Sequence, residues 1–162
     1  MIKKSVLTVD EVKRKLERYC VYQDRCHKEV EEKLRGYHLI PEARAFILLH
    51  LLEHNFLNEE RFAKSFARGK FRIKNWGKVR ITRELKYRDI SAYNIKHALL
   101  EIDEEEYIAK LNNLAEKKCD SVNETDVFKK RKKVFDYLNY RGYEISLINE
   151  VLNITINKKE SN

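Results

Sequence analysis

The few side chains whose types and spacing could support catalysis or metal binding do not combine into a site. His50 and His54 are four positions apart, but neither a cysteine nor a third histidine lies at ligand spacing from them. We interpret them as part of a solvent-facing helix surface. Cys26 and His27 are adjacent and would point in different directions on a helix, so they do not suit a nucleophile with its base. We therefore predict no catalytic residue, no metal site and no cofactor, and we expect a protein that is not an enzyme.

Positive charge, by contrast, is concentrated in one segment. Residues 61–88 hold eleven basic side chains against one acid, Glu84, so this segment carries +10 while the rest of the chain carries −2, giving the net +8. Such clustering is typical of a surface that binds a polyanion or an acidic protein. We predict that eight of these residues contact a partner: Arg61, Lys64, Arg68, Arg72, Lys74, Lys78, Arg80 and Arg83.

The alternative interpretation is that these charges only solvate the outside of helices. It applies more strongly to a second basic run at residues 129–133. Five consecutive residues on a helix point around most of its circumference, so they do not form one charged face. The role of this second run is left open.

The elements that position these side chains are predicted to be helices. The chain is 43% apolar and 37% charged, with four glycines and one proline, which indicates an all-α protein with short joints. Helix starts are indicated by the capping box of Thr8 and Glu11, by Pro41, and by the N-caps Asn58 and Ser91. Gly36 is expected to end the second helix in the left-handed conformation, since glycine is common at that position. Nine helices are predicted, at about residues 8–21, 25–34, 41–55, 59–73, 78–87, 91–102, 104–118, 126–140 and 146–156.

Internal similarity groups these helices into three repeats. Residues 85–89 align without gaps with residues 138–142, and the same offset of 53 pairs Ile95 with Ile148. The first repeat fits less well, at offsets of 50 and 51. We predict an elongated array of three tandem three-helix modules, because each is too small to bury its apolar surface alone. Their bounds are module 1 (1–56), module 2 (57–103), module 3 (104–157) and a polar tail (158–162).

Helical periodicity predicts which apolar side chains face the core. The third helix should use Ala45, Leu48, Leu49 and Leu52, and the fourth should use Phe62, Phe66, Gly69 and Ile73. In the fifth helix the core contacts are Ile81 and Leu85. Trp76 is expected to bury its ring against the two helices that its turn joins, and Gly77 to let the chain reverse there. Tyr87 and Tyr140 occupy equivalent repeat positions, which favours a shared packing role over base stacking. Six residues are thus assigned structural roles: Phe62, Phe66, Trp76, Gly77, Ile81 and Leu85.

The remaining composition favours a cytoplasmic protein. Three cysteines, an odd number at unrelated spacings, give no disulfide framework and fit reduced thiols. The N-terminal sequence lacks the apolar stretch of a secretion signal, and no run of 18 apolar residues occurs. We expect a monomer without membrane contact.

Residues 56–99 combine a run from Phe56 to Ala63 with a later pattern of Trp-Gly, Arg-Ile and Glu-Leu pairs. In this combination the sequence resembles the RecX regulatory proteins of bacteria. A weaker match in module 1 runs from Glu29 to Leu34. The later pattern consists of Phe66, Trp76, Gly77, Arg80, Ile81, Glu84, Leu85 and Ile90.

This resemblance implies three tandem three-helix modules that bind the recombinase RecA, in the helical groove of its filament on DNA. Such regulators reduce ATP hydrolysis, strand exchange and coprotease activity by the recombinase, and so modulate recombination and the SOS response. Whether this chain would cap the filament end or coat its groove is left open.

A direct, non-sequence-specific DNA-binding protein is the main alternative. In that case the fifth helix would act like the recognition helix of a helix-turn-helix module. It has only about ten residues and carries no Asn or Gln suited to adenine, so base-specific readout is not expected. A helical adaptor for another protein is a third possibility.

Overall fold

The computed structural model describes residues 6–162; residues 1–5, at the start of predicted module 1, lie outside the described part. Over the described residues the chain forms nine α-helices and no strand, which confirms the all-α prediction. The helices are α1 (Val9–Tyr22), α2 (His27–Arg35), α3 (Pro41–Glu53), α4 (Glu59–Arg72), α5 (Lys78–Tyr87), α6 (Ala92–Leu99), α7 (Glu104–Ser121), α8 (Val127–Arg141) and α9 (Ile145–Glu160).

The predicted helix starts are confirmed by their hydrogen bonds. At α1 the Thr8 N–H donates to the Glu11 carboxylate at 2.7 Å, and the Glu11 N–H donates to Thr8 Oγ1 at 3.2 Å, completing the capping box. The Asn58 side chain accepts from the N–H of Arg61, and Ser91 caps α6 in the same way. Pro41 stands at the start of α3. Local capping chemistry therefore fixes where these helices begin.

Two helix ends differ from the predictions. Gly36 has a φ of −67° and is right-handed, so the expected left-handed cap is wrong; the chain turns two residues later at His38, where φ is 53°. Helix α9 continues to Glu160, so the start of the predicted polar tail is helical. The last buried side chain of α9 is that of Ile156, and helical residues 157–160 beyond it are exposed, so this end of the helix is polar but still helical.

The nine helices pack as three consecutive triplets. Every pair of helices that packs over several residues lies within the same triplet. The triplets are α1 to α3, α4 to α6 and α7 to α9. The accessible surface of 10,823 Å² exceeds the value of about 8,500 Å² expected for a compact protein of 19.5 kDa. This excess agrees with the elongated repeat array that the sequence predicts. No described helix is both long and apolar enough to cross a bilayer.

The triplets share their cores unequally. Module 1 has its own cluster, which includes Leu16, Leu34 and Leu51. Modules 2 and 3 share one continuous cluster, from Phe62 to Leu152. Cys26, at the start of α2, joins that second cluster rather than the core of its own module. The described chain is therefore a two-module body to which module 1 is attached.

The predicted core faces of α3 and α4 are wrong in part. In α3 the buried residues are Ile47 and Leu51, whereas Leu49 is 54% exposed. Ala45 and Leu52 are exposed too, and Leu48 is half-buried. This helix is apolar around most of its circumference, so its periodicity does not define a direction.

In α4 the core contacts are Phe62, Ala63, Ala67 and Phe71, and Ile73 is 77% exposed. Phe66 and Gly69 are half-buried. The two fully buried alanines allow α6 to pack closely against α4, a contact that a search for large apolar residues does not detect.

The expected solvated face at His50 is also wrong. His50 Nε2 lies 2.6 Å from Glu17 Oε1, and the two side chains are only 17% and 26% exposed. His54 contacts the His50 carbonyl through Nδ1 at 2.9 Å. The contact between His50 and Glu17 therefore holds α3 against α1. The described residues contain no cluster of three or more ligand side chains that could hold a metal ion.

The separate cores predict that module 1 can lose stability alone. Replacing Leu51, which is fully buried, with alanine should cost about 2–5 kcal/mol. Native-state hydrogen exchange should then show reduced protection of α1–α3 amides while α4–α9 amides keep theirs. Leu138→Ala, in the shared core, should do the reverse. Equal loss of protection along the whole chain for either variant would contradict two cores.

Candidate binding surface of module 2

Module 2 meets module 3 through a direct contact between two glycines. The Gly77 N–H donates to the Arg141 carbonyl at 2.8 Å, and the Val79 N–H donates to the Gly142 carbonyl at 2.9 Å. A Cβ atom on Gly77 would lie 2.3 Å from the Gly142 oxygen, and one on Gly142 would lie 2.2 Å from Arg80 Cβ. Both positions must lack a side chain for the backbones to approach this closely. We call this contact the 2–3 joint.

Gly77 therefore serves a purpose different from the expected one. Its φ of −80° is open to any residue, so it is not the residue that reverses the chain. Asn75 does so, with a φ of 57°. Trp76 lies between α4 and α5 as expected, edge-on to Phe66 and under the Arg80 guanidinium, but its ring is only half-buried.

Two buried tyrosines complete the 2–3 joint. Tyr107 Oη donates to Glu144 at 2.6 Å and accepts from the Lys78 N–H at 3.0 Å, while Tyr143 Oη donates to the Asn75 carbonyl at 3.2 Å. Burial raises the pKa of both phenols, and the hydrogen bond to Glu144 raises the pKa of Tyr107 further. Both therefore stay neutral donors at physiological pH and fix the start of α5 on module 3.

At each boundary between modules, a basic side chain contacts the ring and the carbonyl of a tyrosine. Arg80 lies 4.8 Å from the Tyr140 ring and donates to the Tyr140 carbonyl at 3.3 Å. Lys28 of module 1 lies 4.3 Å from the Tyr87 ring and donates to the Tyr87 carbonyl at 2.8 Å. Each cation comes from the second helix of the preceding module. The shared packing role proposed for the two tyrosines is thus to receive a cation from the neighbouring module.

The structure divides the eight predicted contact residues into two groups. Five already have partners within the protein, and four of these form ion pairs. Arg61 pairs with Asp24 at 2.8 Å, Lys64 with Glu60 at 2.9 Å, Arg68 with Glu101 at 3.1 Å, and Lys78 with Glu104; the fifth, Arg80, lies between Trp76 and Tyr140. Three of the acids lie 26 to 37 residues away in sequence, so local charge counting does not reveal them.

The other three residues, Arg72, Lys74 and Arg83, are exposed. Within residues 6–162 they have no carboxylate at ion-pair distance, and the same holds for Lys70 and Lys86, which lie in the same segment but outside the predicted set. Lys70 lies 4.9 Å from the Trp76 ring but, unlike Arg80, its ammonium group donates no hydrogen bond within the described residues. We call these five side chains the open cations. They lie at the end of α4, in the following turn and on α5. Because they form no ion pair within the described residues, they can bind an anion without first breaking one.

The chemistry of this surface is electrostatic. The thiols of Cys20, Cys26 and Cys119 are buried, and burial raises the pKa of Cys26 to about 11. A thiol in that state is protonated at neutral pH and is a poor nucleophile.

On α5 the open cations Arg83 and Lys86 border a shallow groove that also includes Leu99 and Glu144. This arrangement suits binding to an anionic partner.

In the basic run at residues 129–133, two lysines are paired. Lys132 pairs with Asp136 at 2.7 Å and Lys133 with Glu124 at 3.4 Å. Phe128, just before the run, is 84% exposed. Part of the positive charge in this run is thus balanced within module 3.

Comparison with known sequences identifies related proteins. The family model for the second three-helix domain of RecX matches residues 58–99, and the model for the third matches residues 104–152. The regulatory protein RecX of Pseudomonas savastanoi is 33% identical over 126 residues, covering 76% of this chain and 78% of the relative. RecX of Lactobacillus gasseri is 33% identical over 90 residues, and RecX of Clostridioides difficile is 26% identical over 139. These two matches span only 33% and 65% of the relatives' own lengths.

Solved structures show the same fold. The crystal structure of RecX from Lactobacillus salivarius superimposes with a TM-score of 0.79 at 22% identity, covering 91% of this chain and 96% of that one. A second crystal structure, of a regulatory protein RecX, gives a TM-score of 0.77 at 20% identity, covering 90% of this chain and 73% of the other.

The glycine contact can be tested with one methyl group. Gly77→Ala should lower the free energy of unfolding by about 2 kcal/mol or more, because the added Cβ would overlap the Gly142 carbonyl. Gly36→Ala is the matched control, since its φ is negative and its added Cβ would meet only ordinary contact distances. Urea unfolding followed by circular dichroism measures both. A Gly77→Ala protein as stable as the control would show that the 2–3 joint is not closed as described.

The buried phenols predict a loss of stability at high pH. Both have folded-state pKa values raised above 10, so their contribution is complete below pH 10 and falls as the pH rises above 10. Each should contribute a slope of about 1.4 kcal/mol per pH unit there. Urea unfolding between pH 8 and 11 should show a smaller slope in Tyr107→Phe, whereas Tyr22→Phe, at a ring that is 84% exposed, should keep it. Identical slopes in all three proteins would contradict this origin.

Proposed function

The chain belongs to the RecX family of regulatory proteins, and we propose that it regulates the recombinase RecA by binding its filament on DNA. In this proposal it acts as a cytoplasmic monomer and reduces ATP hydrolysis, strand exchange and coprotease activity of the filament. It would thereby modulate recombination and the SOS response. No cofactor or catalytic residue is needed, because binding alone changes the state of the filament.

The five open cations are the observation that supports this proposal most directly. They stand on a module whose position relative to module 3 is held by the glycine contact and by Tyr107 and Tyr143. Because the backbone that carries these charges is already fixed, binding has to order only the side chains, and more of the interaction energy contributes to affinity. We propose that they contact acidic protein surface and DNA phosphates in the filament groove.

The five internally engaged basic residues would support this surface. Arg61 and Arg80 hold the boundaries on either side of module 2, through Asp24 and Tyr140 respectively. Lys64, Arg68 and Lys78 are paired but not fully buried, with side chains 32%, 40% and 17% exposed. We propose that they add to the positive potential around the open cations without making the principal contacts.

Inhibition requires that the protein prefer one state of the filament. A ligand shifts a conformational equilibrium only through its difference in affinity for the two states. An elongated array can contact successive subunits and so favour one relative arrangement of them. A tenfold preference, about 1.4 kcal/mol, would shift the balance of the two states by the same factor at saturation.

Direct DNA binding remains the second candidate, because Arg83 and Lys86 lie exposed on α5. If the five open cations neutralised five phosphates of duplex DNA, log affinity would fall with log salt at a slope of about −4.5. Binding that is equally tight on bare and on RecA-coated DNA would support this candidate.

The decisive experiment compares binding to bare DNA with binding to RecA-coated DNA. Biotinylated single-stranded DNA, bare or coated with RecA in the presence of a non-hydrolysable ATP analogue, is immobilised for biolayer interferometry at one salt concentration. The wild-type chain should bind the coated DNA more tightly. Arg72→Glu/Arg83→Glu should weaken that binding at least tenfold and abolish inhibition of ATP hydrolysis, because both residues are open cations.

The matched control is Lys15→Glu/Lys96→Glu, which makes the same charge change at exposed positions outside the basic segment. It should bind coated DNA within about twofold of the wild type if position rather than net charge decides affinity. Equal weakening by both double variants would contradict the assignment of the surface. Failure of the wild-type chain to bind coated DNA would contradict the proposed function itself.

A further inference from the structure

A groove runs along α4 between modules 1 and 2, beside the face of the helix that packs in the core. It is lined by Phe66, Gly69 and Ile73, and it reaches Phe62, which is itself buried in the core. Gln23 and Asp24 of module 1 border it on one side, and Lys70 and Lys74 line it as well. Beside its buried face, α4 thus carries a half-buried Phe66 and an Ile73 that the described chain leaves exposed.

Gly69, in the middle of this groove, has no role that the fold explains. It lies inside α4, where glycine costs about 1 kcal/mol relative to alanine. A Cβ atom at this position would meet nothing within 4 Å, in contrast to Gly77 and Gly142. No packing contact within the described chain therefore requires a glycine here. A partner backbone or side chain that approaches α4 closely would require it.

The walls combine apolar and positive character. Ile73 is 77% exposed, and Val21 and Tyr22, which directly precede the module 1 wall, are 73% and 84% exposed. Lys70 and Lys74 are open cations, whereas the charge of Asp24 is already balanced by Arg61. The net character of the groove is thus apolar with a positive edge, which complements an apolar segment that carries acids.

The size of the groove argues against a small-molecule ligand. Its volume is about 200 Å³, below the range of about 300–1,000 Å³ of typical ligand pockets. Stacking of a nucleic-acid base on Phe66 is also disfavoured, because Lys70 and Arg88 lie 5.3 and 4.9 Å from the centre of that ring and Trp76 meets it edge-on. A few side chains of a protein segment fit this space better.

We propose that the groove is the docking site for an amphipathic α-helix of the protein partner. One apolar side chain of that helix lies over Gly69, another contacts the exposed Ile73, and carboxylates on its flank face Lys70 and Lys74. This is helix-in-groove recognition, in which apolar anchors recur at every third or fourth position. The inference rests on the proposed function only in taking the partner to be a protein of the filament.

Filling the groove tests the proposal without disturbing the fold. Gly69→Leu places a side chain where the docked helix would lie, and it should keep or raise the melting temperature because leucine favours helix and the space is open. In the interferometry experiment it should weaken binding to RecA-coated DNA at least tenfold and leave binding to bare DNA unchanged. Gly36→Leu, at an exposed glycine on module 1, is the matched control and should bind like the wild type.

A photo-crosslinking experiment identifies the occupant. The three native cysteines are buried, so a benzophenone maleimide should react with Gly69→Cys in the folded protein and leave them unmodified. Irradiation on coated DNA should yield an adduct with the recombinase, and mass spectrometry should place it in one acidic helical segment. The same probe on Gly36→Cys should give no adduct at that segment.

The outcomes separate this inference from the proposed function. If the wild type binds coated DNA and Gly69→Leu binds equally tightly, the docking site is refuted while the proposed function stands. Crosslinking to the oligonucleotide instead of protein would refute the proposed helix and identify the groove as a nucleic-acid contact. If the wild type does not bind coated DNA, both fail together.

Discussion

The approach of two bare backbones, at Gly77 and Gly142, is the contact on which the arrangement of the main body depends. It places the first turn of α5 directly on the end of α8, and this proximity allows modules 2 and 3 to close one common core. Hydrogen bonds from Tyr107 and Tyr143 then find their partners across the same boundary. The direction of α5, and with it the position of the open cations Arg83 and Lys86, follows from this contact.

The boundary between modules 1 and 2 is built differently. It depends on the ion pair of Arg61 with Asp24 and on Lys28, which reaches the Tyr87 carbonyl and lies 3.9 Å from Asp89. Two buried residues, Cys26 and Leu57, also cross it by joining the core on the other side, but no continuous core spans it. Partly exposed ion pairs contribute less than buried apolar contacts and weaken with salt. Module 1, with its own core, is therefore attached to the body more loosely than module 3, and the groove on α4 lies at this weaker boundary.

Much of the fold could be predicted from the sequence because its signals are local. A cap such as Asn58 depends only on neighbouring residues. The offset that pairs Leu85 with Leu138 depends only on repetition, and both leucines are fully buried. The resemblance to RecX is confirmed for the same reason, since its pattern lies within one module. The core face of α4 was missed because Ala63 carries little apolar weight. The engaged state of Arg68 was missed because its acid is 33 residues away and reached only through the fold.

The absence of side chains at the 2–3 joint also sets a length. At Gly77 and Gly142 the two backbones are in direct contact, so modules 2 and 3 cannot approach each other more closely at this point. A single methyl group at either glycine would push module 3 outward and change the period of the array. If the chain binds a filament as proposed, a variant altered in this way would no longer match the constant rise of the filament subunits, although the open cations remained in place.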